Sequence, residues 1–321
     1  MGEIGETRLL ADIGGTSARF ALQNREAAPT DIAVLATGDY PDLAGAVAAY
    51  EDRLGGIRPR VAAFCVACPV TGDTVAMTNA PWTFSISETQ RALGLDRLTV
   101  VNDFTAVASA VPHLKADDVL GIGGGDVIAG APIGVLGPGT GLGTSGLIPA
   151  ATGWTVLEAE GGHVTMPAMN EREDAVLAHL RHLFGHVSGE RVVSGDGLVN
   201  LYTALAEIDG HTPRRLAPHQ VSDDALAGRC PICAEALDMF FAMLGTLAGN
   251  LALTLGSHGG IYLAGGILPR MPEALVASPF RTRFEAKGRF QGYLSRIPTR
   301  LVMAEHPAFI GLAGILDDIA G

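Results

Sequence analysis

The sequence predicts an α/β protein of two lobes, and three observations carry that expectation. The chain has 321 residues, more than one hydrophobic core ordinarily serves and enough for two. Short apolar, β-rich runs alternate along it with helical patterns. An apolar strand entering a glycine-bearing turn recurs at Asp12-Ile-Gly-Gly-Thr16, Gly137-Pro-Gly-Thr-Gly-Leu-Gly143 and Gly265-Gly266, which hints at two related lobes.

Residues 8–11 and 18–22 are apolar runs separated only by the Gly14-Gly15 turn, so they read as a hairpin rather than a strand-to-helix elbow. Strands are expected at 32–37, 61–67 and 98–101, with helices between them at 43–54 and 87–93, and a further helix at 104–110. Beyond Gly121-Ile-Gly-Gly-Gly125 come a strand at 133–136 and a second hairpin-like pair about the glycine-rich turn. The second half reads as helices at 171–184, 195–207 and 230–255 around a smaller strand set, with a strand at 261–264. A helix follows Gly265-Gly266. A last strand at 300–304 precedes a glycine-containing terminal helix at 308–319.

Hydrophobic residues make up 48% and charged residues 17% of the chain, a globular profile. The 42 glycines, about 13% against roughly 7% ordinarily, cluster in turns without a collagen-like period. A net charge of −12 and no Lys/Arg-rich run argue against binding nucleic acid through a basic face. A small nucleotide remains compatible, because main-chain amides and a metal ion neutralise phosphate locally. No basic stretch followed by an apolar one opens the sequence, so a cytoplasmic protein is expected. The apolar run 239–255 carries Gly245-xxx-Gly249 but is broken by Thr246, Asn250 and Thr254 and lacks a basic flank; it reads as a buried helix, not a membrane span.

The four cysteines form two C-x-x-C pairs, too far apart in sequence for a zinc ribbon. Cys65 and Cys68 lie in an apolar strand whose geometry sends them to opposite faces. Cys230 and Cys233 bracket Pro231 at a helix start, where reactivity is an open alternative; a structural metal or disulfide is not expected. No Gly-Lys dipeptide exists, which removes the Walker A loop. Gly141-Leu-Gly-Thr-Ser-Gly146 matches the dinucleotide-binding pattern but runs into β-like sequence and Pro149 instead of a helix. Neither His-Arg-Asp nor Asp-Phe-Gly occurs, so the protein-kinase signatures are missing.

Glycine lets bare amides approach an anion. Asp12 ends a strand just before Gly14-Gly15-Thr16, where its carboxylate suits a magnesium-bound water and the turn suits phosphate; a capped β-turn is the plainer reading. Asn102-Asp103 ends another strand and opens a helix, placing a carboxylate where it can accept a hydroxyl proton, although helix capping alone explains the dipeptide. Glu160-Gly-Gly-His163 leaves a carboxylate and an imidazole on a bare loop suited to adjacent hydroxyls, and Glu190 adds an acceptor. Solvent-exposed turn and helix-flanking charge are their plainer readings.

Together these segments resemble the bacterial-type ATP-dependent glucokinases of the actin/heat-shock/hexokinase superfamily, over nearly the whole chain. The resemblance rests on Leu9-Leu-Ala-Asp-Ile-Gly-Gly-Thr-Ser-Ala-Arg-Phe-Ala-Leu22, Ala76-Met-Thr-Asn79, Val101-Asn-Asp-Phe-Thr-Ala-Val107, Glu160-Gly-Gly-His-Val164, His186-Val-Ser-Gly-Glu-Arg-Val192, Ser194-Gly-Asp-Gly-Leu-Val-Asn-Leu-Tyr202 and Leu263-Ala-Gly-Gly-Ile267. Ser17 stands where that family often has Asn, and Pro138 where a small residue is common.

The resemblance implies a two-lobed, ribonuclease H-like (actin/hexokinase-type) α/β fold, each lobe a mixed five-stranded sheet flanked by helices, with an interlobe cleft. The small domain would comprise residues 1–113 plus 304–321 and the large one 114–303. It implies Asp103 as catalytic base and Asn102, Asp103, Glu160, His163 and Glu190 as glucose ligands. Ala11, Asp12, Ile13, Gly14, Gly15 and Thr16 would form the first phosphate loop, with Asp12 serving Mg²⁺. Gly139, Thr140 and Gly141 would form the second, and Gly265 and Gly266 the turn near adenosine. D-Glucose and ATP are the implied substrates, with no nucleic-acid or membrane partner and a homodimer expected. Two alternatives remain: a hexose or N-acylhexosamine kinase of the repressor/kinase sugar family, and a non-catalytic sugar sensor or actin-like assembly protein. The first is disfavoured because residues 1–8 leave no room for a helix-turn-helix and the cysteine spacing misses that family's zinc cluster; the second has no need of Asp103 with the Glu/His set.

Overall fold

The computed structural model describes residues 7–25, 27–77, 80 and 82–320. The chain divides into two compact units, one running to Lys115 and resuming at Ala304, the other Ala116–Met303.

The first unit is built on β1 (Thr7–Ile13), β2 (Ser17–Asn24), β3 (Thr30–Ala36), β4 (Val61–Val66) and, beyond a short ribbon of β5 (Thr74–Ala76) with β6 (Thr83–Ser85), β7 (Arg97–Asn102). The sheet order is β3-β2-β1-β4-β7. The β1–β2 and β2–β3 pairs are antiparallel, whereas β1, β4 and β7 run parallel. β1 and β4 are apolar almost throughout because both faces of the sheet are covered, and a doubly covered strand loses its polar alternation. Successive residues still face opposite ways. Leu9, Ala11, Ile13, Phe64 and Val66 join Phe20, Tyr50 and Trp82 on one side. Leu10, Ala63 and Cys65 join Ala106, Phe309 and Leu312 on the other.

The second side is closed by two helices in contact, Asp103–Ala110 and the terminal Pro307–Ala320. Their approach is set at Gly311, where an added Cβ would land on the Ala106 carbonyl. Arg8 on β1 reaches Asp317 at 2.7 Å and anchors the far end of the terminal helix.

The second unit repeats this plan. β8 (Val119–Gly123), β9 (Ile133–Pro138), β10 (Leu142–Pro149), β11 (Trp154–Ala159), β12 (Gly260–Leu263) and β13 (Thr299–Val302) form one sheet, ordered β11-β10-β9-β12-β13-β8. The first five strands reproduce the pairing of the other sheet: two antiparallel pairs, then two strands parallel to β9. β8 is an extra edge strand, antiparallel to β13. The recurring strand-and-glycine-turn signal therefore reflects a shared topology, but this sheet has six strands, not five.

The apolar run at 239–255 lies in the helix Pro231–Leu255, which is long and apolar enough to cross a membrane, yet most of that stretch is buried in its own unit. Gly245 and Gly249 serve packing: added Cβ atoms would strike the Phe280 and Phe284 carbonyls of the helix Phe280–Glu285. Directly after Gly265-Gly266 there is no α-helix. A 3₁₀ turn, Leu268–Arg270, comes first, and the helix Pro272–Ala277 starts only after Met271 leaves helical backbone at φ −142°, ψ 52°. Pro272 cannot donate an amide, so it begins a helix rather than continuing one.

Replacing Gly311 by Ala is expected to lower stability by about 2–3 kcal/mol, because the new methyl meets backbone that cannot step aside. A urea denaturation midpoint equal to that of the parent protein would show that the helix pair does not need this close approach.

Candidate active site

Because β1, β4 and β7 are parallel, their carboxyl ends share one edge of the sheet. Asp12 pairs with Cys65 and Cys65 with Val101, while Ile13, Val66 and Asn102 form the next row. The strands carrying Asp12 and Asn102-Asp103 are thus separated by β4 alone, about 10 Å. Between them lies the fully buried Cys65, its sulfur donating to Asp12 Oδ1 at 3.6 Å. Burial first, then the nearby Asp12 and Asp103 carboxylates, pushes that thiol well above its ordinary pKa, so it stays a donor. Asp12 Oδ2 accepts from Arg19 Nη1 at 3.0 Å, from the facing position on β2.

The turn beyond Asp12 is stapled in place. Gly14 N donates to Ser17 O at 2.9 Å, Thr37 Oγ1 to Gly15 O at 2.8 Å and Thr37 N to Thr16 O at 3.1 Å. Ala11 and Ile13 are fully buried and their side chains belong to the core, so only their main chain is available to a ligand. Asn102 is the N-cap of the helix Asp103–Ala110: its Oδ1 accepts from Phe104 N at 2.9 Å and Thr105 N at 3.3 Å. Its Nδ2 donates to Cys68 O at 3.3 Å. Asp103 is the helix's first residue, partly exposed, with Oδ1 accepting from Phe104 N at 2.8 Å.

In the second unit the predicted residues meet in one hydrogen-bonded patch at the carboxyl end of β9. The β9–β10 turn closes through Gly139 N to Gly141 O at 2.8 Å. Leu142 N donates to Glu190 Oε2 at 2.9 Å. Glu190 N in turn donates to Gly162 O at 2.9 Å, and Gly189 N to Val164 O at 2.9 Å. Those bonds hold the 3₁₀ turn Gly161–His163, on which Glu160 Oε2 and His163 Nε2 lie 3.9 Å apart, both well exposed. Gly162 is obligatory, because a Cβ there would strike the Leu142 carbonyl. Gly265, at φ +85°, sits against the Pro138 carbonyl just before the turn. Thr140 is part of the turn, and Gly266 has no protein atom near its would-be Cβ.

Three features escaped the sequence reading. In the sequence Cys65 is one residue of an apolar strand, yet its thiol touches Asp12. The buried Thr144 Oγ1 has no hydrogen-bond partner among the described residues and lies 2.5 Å from a Cβ built on Gly161; nothing in its sequence neighbourhood marks it. The helix Gly195–Ile208 begins against the β9–β10 turn, Gly195 N donating to Gly139 O at 2.9 Å, with Ser194 accepting from Gly197 N as its cap. The Ser194-Gly-Asp-Gly pattern carried that signal.

Thr78 and Asn79, from the segment Ala76-Met-Thr-Asn79, lie outside the described residues. Among the described residues no cluster of three or more His, Cys, Asp or Glu side chains could hold a metal. Cys65 and Cys68 belong to cores on opposite faces of the sheet. A lone carboxylate such as Asp12 still fits Mg²⁺, which keeps most of its waters and takes its remaining ligands from substrate phosphates.

The sequence model of the glucokinase family matches residues 9–319. The chain is 55% identical to the glucokinase of Paramagnetospirillum magneticum across 97% of each sequence. It is 47% identical to that of Neisseria meningitidis, covering 98% of this chain and 96% of the relative. Among solved structures, glucokinase from an Antarctic psychrotroph superposes with a TM-score of 0.89 at 37% identity, over 98% of this chain and 99% of the other. With a family match of this extent, on an α/β architecture of the actin/hexokinase type, the chain belongs to the glucokinase family.

Proposed function

We propose that this protein is an ATP-dependent glucokinase, moving the γ-phosphoryl group of ATP to the 6-hydroxyl of D-glucose and giving glucose 6-phosphate and ADP. The observation that carries the reading is the placement of Asp103. It stands at the carboxyl end of β7, at a helix start, on the same sheet edge as Asp12 and the Gly14–Thr16 turn. The names of the relatives, all glucokinases, support the sugar.

Asp103 acts as general base: it orients the 6-hydroxyl and takes its proton as the oxygen attacks. Asn102 fixes the helix start from which Asp103 projects. Negative charge on the transferred group is met by main-chain amides. Those of Gly14, Gly139 and Leu142 are already committed, which leaves Gly15, Thr16, Thr140 and Gly141 to face phosphate. Asp12 would hold Mg²⁺ through water, and the ion would supply positive charge against the phosphates. Glu160, His163, Glu190 and Asn102 bind the sugar hydroxyls, with Glu190 Oε1 left for this while Oε2 serves Leu142. Gly265 and Gly266 border adenosine. A Cβ on Gly139 or Gly266 would meet nothing within 4 Å, so protein packing does not demand glycine there; approach of a ligand does.

A coupled assay crossing a hexose panel with ATP, other nucleoside triphosphates and polyphosphate tests both substrates. Turnover is expected with glucose and ATP, and preference for another hexose or an N-acylhexosamine would replace the acceptor named above. Asp103→Asn should lower kcat by about 10² or more with folding retained; near-parental turnover would end the base assignment. Glu160→Gln should act chiefly on KM for glucose, raising it roughly tenfold through loss of a charged acceptor. An unmoved KM would take Glu160 out of the sugar site.

A further inference from the structure

Cys230 and Cys233 have no part in the chemistry above, and their arrangement is that of a redox pair. Cys230 is the N-cap of the helix Pro231–Leu255, in extended backbone at φ −140°, ψ 107°, and its sulfur accepts from Cys233 N at 3.3 Å. It occupies the place of an oxygen cap, where unpaired amides and the helix dipole favour an anion. Burial pushes the Cys230 thiol up, but donation from the Cys233 side chain and amide, with the Arg214 charge nearby, brings it below its ordinary value. Arg214 is itself held, its amide by Tyr202 Oη at 3.0 Å and its guanidinium by Asp224 at 2.8 Å. Asp224, which also binds Arg229 at 2.8 Å, is the acidic group that acts on Cys233.

Cys233 is the complement of its neighbour. Its side chain is fully buried, and burial first, then the Cys230 sulfur, pushes its pKa up, so it keeps its proton. Cys230 is partly exposed. One sulfur is thus set up to react first and the other to resolve, a single helical turn away. Cys65 and Cys68 provide the internal contrast: both buried, both raised by burial, and facing separate cores.

We propose that Cys230 and Cys233 form a redox-active dithiol, a modification site at which a hydroperoxide oxidises Cys230 and Cys233 closes an intramolecular disulfide. The Cys230 thiolate attacks the peroxide, an S–O bond forms as the O–O bond breaks, and hydroxide or alkoxide leaves. Cys230 becomes a sulfenic acid and the peroxide is reduced. Cys233 then attacks the Cys230 sulfur, the S–O bond breaks, and the departing hydroxide takes the Cys233 proton as water. A dithiol reductant reverses the step by exchange. None of this depends on the phosphotransfer reading.

The test uses the reduced, folded full chain, treated with stoichiometric hydrogen peroxide and then iodoacetamide and mapped by mass spectrometry. The expected product has lost two hydrogens, carries a Cys230–Cys233 link and reverts with dithiothreitol, while Cys65 and Cys68 become alkylated only after unfolding. In the untreated native protein, Cys230 should be alkylated at least about tenfold faster than Cys68. Cys230→Ser should abolish the link and leave Cys233 unreactive. Cys233→Ser should leave a sulfenic acid at Cys230 that dimedone captures, and if that variant does not fold, the Cys230→Ser result and the native alkylation rates decide. A peroxide-treated protein without the link, whether Cys230 is untouched or carried to sulfinic acid, overturns the proposal, as does native alkylation of Cys230 no faster than that of Cys68.

Discussion

The candidate residues of the first unit rest on β4 being buried on both faces. Its residues, Val-Ala-Ala-Phe-Cys-Val, are almost wholly inaccessible, and alternate side chains belong to two different cores. A slip of one residue would exchange Phe64 with Ala63 or Cys65 between those cores, so burial fixes the register as firmly as hydrogen bonding does. That register aligns Asp12, Cys65 and Val101 in one row. The two carboxylates at the strand ends are therefore placed by apolar packing several residues away, and the small Ala62 and Ala63 matter as much as the acids because they admit the covering helices.

The second unit meets the same need with a repeated plan and a different fastening. Its glycine turn joins β9 to β10 as the other joins β1 to β2, but the surrounding loops are tied by one side chain. Glu190 takes the Leu142 amide with its carboxylate and gives its own amide to Gly162. It thereby couples the β9–β10 turn to the Glu160–His163 turn. Gly162 and Gly265 are glycines because backbone lies where a Cβ would be, whereas Gly139 and Gly266 face open space. The same residue type thus answers two different constraints within one patch.

This contrast explains what the sequence made legible. Doubly buried strands such as β1, β4 and β9 announce themselves as apolar runs, and a glycine turn between two of them reads as a hairpin. Asn102 before an apolar helical stretch reads as a cap, and the structure shows it capping. The strands β5 and β6 are three residues each, too short for any period to register. β8 carries Gly121 and Gly123 at an edge, and β11 alternates only weakly. The helix Pro218–Leu226 has nine residues and fully buries only Val221, with Ala225 packed beside it against the core, so only a few apolar positions announce it. Cys65 and Thr144 went unread because their contacts span 53 residues in one case and a turn from another strand in the other. Local pattern carries no trace of either.

The two glycine turns also share a detail that no motif records. In each, the first glycine's amide is consumed inside the turn, Gly14 on Ser17 O and Gly139 on Gly141 O. An amide used this way is lost to any anion, yet it closes the turn tightly and holds the next peptides in a fixed orientation. Thr37 then occupies the Gly15 and Thr16 carbonyls on one turn, and Gly195 the Gly139 carbonyl on the other, keeping those acceptors engaged. A loop with idle carbonyls would leave them free to rotate, and its polarity toward solvent would not be fixed. Occupying them fixes the sign of the field the turn presents. Preorganisation here consists in spending donors and acceptors that face the protein so that those facing outward need not reorganise.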